Sequence, residues 1–115
     1  MSSTKTGSLW LATPEKLNEA LRRIVEVANP RKVILFGSQA RGTATEESDA
    51  DLMVIEDDVK DRFAEVLRLS EIVAKMHLVA DVLVSDLQTY DYWSSTPGNV
   101  YFQARAEGKV LFEKP

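Results

Sequence analysis

The sequence predicts an α/β fold of the α+β kind, a small mixed β-sheet flanked by helices. Three observations lead there. Val33-Ile34-Leu35-Phe36 and Leu52-Met53-Val54-Ile55 are short, wholly apolar runs of the kind found in strands buried on both faces. Two longer segments, one before these runs and one after, repeat apolar residues at helical spacing. The connection between the two runs is compact and polar, whereas the next connection holds a whole helix. The first pair of strands should therefore be antiparallel and the second pair parallel, joined by a right-handed crossover.

Taken in order, Thr13-Pro14-Glu15 starts a helix, with Thr as N-cap, Pro at the first helical position and an acid in the first turn. Leu17, Ala20, Leu21, Ile24, Val27 and Ala28 give it one apolar face, and Asn29-Pro30 ends it because proline cannot continue the ladder. The first strand covers residues 33–36. Residues 37–48 are small and polar, a turn with a short helical piece near 39–41 and then a loop. A second strand is expected over residues 49–55, broken by the acidic run Glu56-Asp57-Asp58, which reads as a solvated loop.

Val59, Phe63, Val66, Leu67, Ser70, Val73 and Ala74 mark a second amphipathic helix. His77, at its end, reads as a residue favoured by the helix macrodipole. Residues 78–84 form a third strand interrupted only by Asp81. Asp86 caps a short helix through Tyr90 and Trp93, and residues 94–98 are a loop. Val100, Phe102, Gln103 and Ala106 suggest a last helix stopped by Gly108, and Val110-Leu111-Phe112 a small edge strand. Met53 and Met76 read as core filler.

The bulk composition narrows the function. With 115 residues, residues 13–115 are expected to form a single domain and residues 1–12 a disordered tail. An apolar fraction of 44% and a charged fraction of 28% are ordinary for a folded soluble chain. A net charge of −4 and a pI near 5.0 argue against general nucleic-acid binding. The absence of cysteine excludes disulfides and thiolate metal sites and suits a reducing cytoplasm, the expected location. His77 is the only histidine, which excludes a multi-histidine zinc site within one chain. No apolar stretch reaches the roughly 20 residues that cross a bilayer, so no membrane association is expected.

The chemistry sits where the strands begin and end. Asp49 and Asp51 are two apart on a strand, so both project to one face across Ala50. A parallel third strand brings Asp81 to the same edge, and an antiparallel first strand delivers Gly37-Ser38 there. Three crowded carboxylates demand a proton or a cation. Oxygen-only ligands point to Mg²⁺ or Mn²⁺, whose shells are usually completed by water and substrate phosphates. Gly37-Ser38 offers close backbone N–H groups and a hydroxyl to a phosphate, and Arg41 a forked cation. Each member alone has a bland reading: a surface acid pair, a tight turn, a solvated arginine. Asp81 inside the apolar "LVADVLV" is harder to explain structurally, and the set is far more specific than any member.

The string "FGSQARGTATEESDADL" resembles the minimal nucleotidyltransferases of the DNA polymerase β-like superfamily, whose signature is Gly-Ser-x-Ala-Arg-Gly followed by Ser-Asp-x-Asp-Leu. The resemblance covers residues 13–84 and, less clearly, the tail; Gly37, Ser38, Arg41, Gly42, Asp49, Asp51 and Asp81 all match. It implies a polymerase β-like nucleotidyltransferase core that transfers a nucleoside monophosphate, AMP from ATP, to a hydroxyl with release of pyrophosphate. On that resemblance Asp49 and Asp51 hold two Mg²⁺ ions, with Mn²⁺ as a substitute. Asp81 completes the site as metal ligand or base, Gly37 and Ser38 bind the β- and γ-phosphates, Arg41 offsets charge on the leaving pyrophosphate, and Gly42 counts with these three among the nucleotide-binding residues.

Proteins resembling this type are typically antitoxins that adenylylate a tyrosine of a helical HEPN-domain toxin. Two other readings are an adenylyltransferase of a small hydroxyl compound such as an aminoglycoside, and a non-catalytic antitoxin that masks its toxin. The aromatic residues Tyr90, Tyr92, Trp93, Tyr101, Phe102 and Phe112 either pack on the sheet or line an acceptor surface.

Overall fold

The computed structural model describes residues 13–37 and 50–115. Among them the elements run α1 (Pro14–Ala28), β1 (Lys32–Phe36), β2 (Ala50–Glu56), α2 (Arg62–Lys75), β3 (Ala80–Asp86), α3 (Leu87–Trp93), α4 (Val100–Glu107) and β4 (Lys109–Glu113). The strands form one mixed sheet in the order β3-β2-β1-β4. The β1–β2 and β1–β4 pairs are antiparallel and β2–β3 is parallel, joined through α2. This is the α+β architecture that the two kinds of connection predicted.

Local chemistry sets each boundary. The Thr13 hydroxyl accepts from the Lys16 N–H at 3.2 Å, and Asn29 closes α1 in the left-handed region, φ 48°, donating its N–H to Val25. The second helix starts later than its apolar pattern suggests. Asp61 caps it by accepting from the Ala64 N–H at 3.1 Å, and Val59 stays in the preceding loop, packed against the core. The third strand also starts later, at Ala80. His77 adopts φ 56°, and the Leu78 N–H folds back onto the Val73 carbonyl, so two residues go to closing α2 before the strand begins. The His77 carbonyl accepts from the Lys16 ammonium at 2.9 Å, tying that turn to α1. Asp86 and Gly108 bound the last two helices as expected, and Asn99 caps α4 by accepting from the Phe102 N–H at 2.9 Å.

Alternation along the strands divides the core between the two faces of the sheet. Val33, Leu35, Leu52, Val54, Val82 and Val84 pack with Ala20 and Ile24 of α1 and Leu69 and Val73 of α2. Ile34, Phe36, Met53 and Ile55 face the other way, with Tyr90 of α3 and Ala104 of α4. Met53 is fully buried and Met76 packs at the margin of the first layer, both as apolar filler. No helix among the described residues is long and apolar enough to cross a membrane.

Candidate functional site at the rim of the sheet

β2 places its first acid between two neighbours. Asp51 is the register partner of Phe36 on the antiparallel side and of Asp81 on the parallel side. Residues paired across adjacent strands project to the same face, so the two carboxylates stand side by side at about the 4.8 Å strand spacing. Their face is the one shared with Met53 and Leu83, toward α3 and α4; Ala50 points the other way and is fully buried. Asp51 is half-buried and Asp81 exposed.

This corrects the sequence reading of Asp81 in one respect. It is not an acid inside an apolar strand but the second residue of β3, solvated at the rim. The later start of the strand, forced by the turn at His77, moves it there. The same shift puts it directly opposite Asp51.

Gly37 completes the rim. It follows the last residue of β1 and has φ +79°, where a side chain would be strained. A Cβ there would run into Asp51 Oδ2 and lie 3.2 Å from its carboxyl carbon. The bare backbone is thus what lets the strand end come up against the carboxylate. Two oxygen-donor side chains beside a glycine turn suit a hard divalent ion such as Mg²⁺ or Mn²⁺ better than zinc. Among the described residues no three Asp, Glu, His or Cys side chains gather closely enough to hold a metal. Asp49, which would make the third, lies outside the described residues, as do Ser38, Arg41 and Gly42.

At the other end of β2 the chain does something the sequence did not signal. Glu56 is the last residue of the strand rather than part of a solvated loop, and its Oε2 is buried with no hydrogen-bond partner among the described residues. Burial first, then the adjoining Glu65 carboxyl, pushes Glu56 up to about 8, against the opposing pull of Arg68. Glu65 is held below its ordinary value, chiefly by the hydrogen bond with Glu56 and then by Arg68, whose guanidinium lies 2.7 Å from Glu65 Oε2. Together with Asp58, Lys60 and Asp61 they line a cavity of about 320 Å³.

The aromatic residues divide. Tyr90 packs in the core, whereas Tyr92 is 70% exposed and meets Trp93 edge to face at 4.9 Å.

Comparison with known proteins follows the same lines. The family model described as "Polymerase beta, Nucleotidyltransferase" matches residues 15–115. Among solved structures, a Sulfolobus solfataricus protein named as a candidate nucleotidyltransferase superposes with a TM-score of 0.63 at 17% identity, over 87% of this chain and 79% of that one. A variant of the toxin–antitoxin complex MntA–HpeT gives a TM-score of 0.55 at 26% identity, over 89% of this chain and 73% of its matched chain. A toxin–antitoxin structure with AMP-PNP gives 0.52 at 22% identity, over 84% and 73%. Among curated proteins, none matches the sequence significantly.

Proposed function

Because the chain belongs to the polymerase β nucleotidyltransferase family, we propose that it transfers AMP from ATP to a hydroxyl group in a reaction dependent on Mg²⁺. The acceptor we assign is a tyrosine of a partner HEPN-type toxin, which makes the chain an antitoxin that acts by adenylylation. The observation that carries this reading is the pairing of Asp51 with Asp81 at the rim of the sheet, beside a glycine whose missing side chain lets the end of β1 close on the Asp51 carboxylate. The likeness to toxin–antitoxin structures, one of them with a nucleotide analogue, supports the choice of nucleotide and partner.

In the proposed reaction the acceptor oxygen forms a bond to the α-phosphorus of ATP. The bond from that phosphorus to the α,β-bridging oxygen breaks, and pyrophosphate departs. Bound divalent ions would neutralise charge on the attacking and leaving oxygens. Asp49 and Asp51 would hold them. Asp81, exposed at the rim where an acceptor arrives, would share that coordination or take the hydroxyl proton. Gly37 and Ser38 would present backbone N–H groups and a hydroxyl to the β- and γ-phosphates, Gly42 would join them in binding the nucleotide, and Arg41 would offset charge on the leaving pyrophosphate.

The test is transfer of label from α-³²P-ATP by the chain purified with its partner. The expected result is label on the partner protein in a denaturing gel, lost on addition of EDTA and in the Asp49→Asn/Asp51→Asn double variant. Undiminished labelling by that variant would overturn the assignment of the acids. Label on an aminoglycoside but not on protein would replace the acceptor. Equal neutralisation of the toxin in cells by wild type and double variant would favour masking.

A further inference from the structure

The outer face of α2 carries apolar side chains that neither core layer uses. Phe63 and Leu67, one turn apart, are 74% and 55% exposed. The stripe continues along the helix into two small residues, Ser70 and Ala74. Its steps of four, three and four residues are those of a seam that meets a second helix. A shallow cavity of about 620 Å³ runs along it, lined by Ala64, Leu67, Arg68, Ser70, Glu71 and Ala74. Val66, Leu69 and Val73 already bind α2 to the sheet, so the stripe is surplus to the fold.

We infer that α2 pairs antiparallel with α2 of a second copy of this chain, about a two-fold axis between residues 68 and 69. The order of sizes selects that occupant. Bulk stands at the start of the stripe and small side chains at its end. Antiparallel pairing sets Phe63 against Ala74 of the second copy and Leu67 against Ser70. Each large side chain then meets a small one, and the helices close to the usual separation of about 8–10 Å. Parallel pairing would set Phe63 on Phe63 and Ala74 on Ala74, wedged at one end and empty at the other.

Charge selects the same occupant. Arg68 and Glu71 flank the stripe on one side, whereas Arg62 turns away toward β3. Within the chain Arg68 reaches back to Glu65, which takes two of its donors at 3.1 and 2.7 Å, rather than forward to Glu71. A guanidinium has further donors to give. The two-fold brings Arg68 of each copy beside Glu71 of the other, so the pair is made twice. A 14-residue helix is about 21 Å long, so the contact buries less than the roughly 1,200 Å² of a standard interface and the dimer is of the weak, transient class. Asp51 and Asp81 project from the opposite face of the sheet, and the pairing requires nothing of the adenylyl-transfer reading.

Sedimentation velocity of the full chain, up to millimolar concentration, tests this. A monomer–dimer equilibrium is expected, weakened at least tenfold by Leu67→Asp. Glu71→Arg, which sets two guanidinium groups against each other, should weaken it as well. Tyr92→Asp, which removes an exposed aromatic ring from α3 instead, should leave it unchanged. Circular dichroism establishes that the variants fold. Orientation is read from single cysteines, placed in a chain that has none of its own. In the antiparallel register Ser70→Cys lies about 4–5 Å along the helix axis from its copy, and Ala74→Cys about 16 Å. The first should oxidise to a covalent dimer and the second should not, since a disulfide spans no more than about 7 Å between Cα atoms. Four results each overturn the inference: a monomer at every concentration, a dimer that Leu67→Asp leaves intact, equal loss in Tyr92→Asp, or equal cross-linking at both cysteines.

Discussion

β2 has a crowded pair of carboxyls at each end, and the two ends resolve the crowding in opposite ways. At its start, Asp51 stands beside Asp81 on the α3–α4 face, at the rim of the sheet next to a bare glycine backbone. At its finish, Glu56 meets Glu65 on the opposite face, under α2, with Arg68 alongside. The second pair is completed from within the chain. A half-buried carboxyl that keeps its proton up to about pH 8 donates to one that has lost its own, and an arginine offsets the remaining charge. The first pair stands at the rim, with Asp81 exposed, where a ligand can do that work. Proximity of acids is thus no mark of a catalytic site; what stands around them decides.

The largest effect that would test this contrast is on catalysis. Asp51→Asn should lower adenylyl transfer by on the order of 10²–10³-fold or more, the usual loss when a principal charge-stabilising group is removed. Glu56→Gln should leave the rate within a few-fold, because Glu56 lies at the other end of the strand and on the other face. Single-turnover rates with α-labelled ATP measure both. Comparable losses in the two variants would erase the distinction between the ends.

Gly37→Ala comes next, and separates the rim's backbone from its charge. An L-residue at φ +79° costs about 1–2 kcal/mol, and the added Cβ meets the Asp51 carboxylate. Denaturant unfolding should show that loss of stability. Transfer should fall further than the change in folded fraction explains, because the carboxylate is displaced as well as the turn strained. A variant that loses stability but keeps the wild-type rate per folded molecule would mean that the Gly37 turn does not set the position of Asp51.

How much of this was legible in the sequence differs between the same two ends. Period, caps and connection length were sufficient for the order of elements and for both strand pairings, since Thr13, Asp86 and Gly108 act locally. Asp51 and Asp81 were found because one sheet edge collects residues that the chain separates, which follows from strand direction alone. The exact start of β3 was not legible. It depends on how α2 closes, through a left-handed His77 and a hydrogen bond from Leu78 back to Val73. Glu56 was hidden for a similar reason. In the sequence it heads an acidic run, and only packing of α2 across the sheet brings Glu65 and Arg68 to it. Asp49, Ser38, Arg41 and Gly42 lie outside the described residues and rest on the motif.

The smallest expected effect is on stability against pH, and it belongs to the Glu56 end. Glu56 holds its proton to about pH 8 in the folded chain, whereas a free glutamate loses it near 4.5. The folded state therefore binds more protons than the unfolded chain between those values, and stability falls as pH rises through that window. Glu65 has the opposite sign: its depressed value adds stability above about 4.5, lost only as pH falls through its folded value, so it does not shape the upper window. Asp58, Lys60 and Asp61 share the cavity, and Asp86 is Glu56's register partner on β3. Asp86 is held below its ordinary value by its capping bonds to Thr89 and stays charged throughout. Glu56→Gln, neutral at every pH and still able to donate to Glu65, should flatten the decline between pH 5 and 9. Because the group is only half-buried, the difference at pH 9 should be on the order of 1 kcal/mol. Urea unfolding of wild type and variant at pH 5, 7 and 9 measures it, and parallel curves for the two proteins would mean that Glu56 is ionised like any surface acid, leaving β2 with crowded charge at both ends.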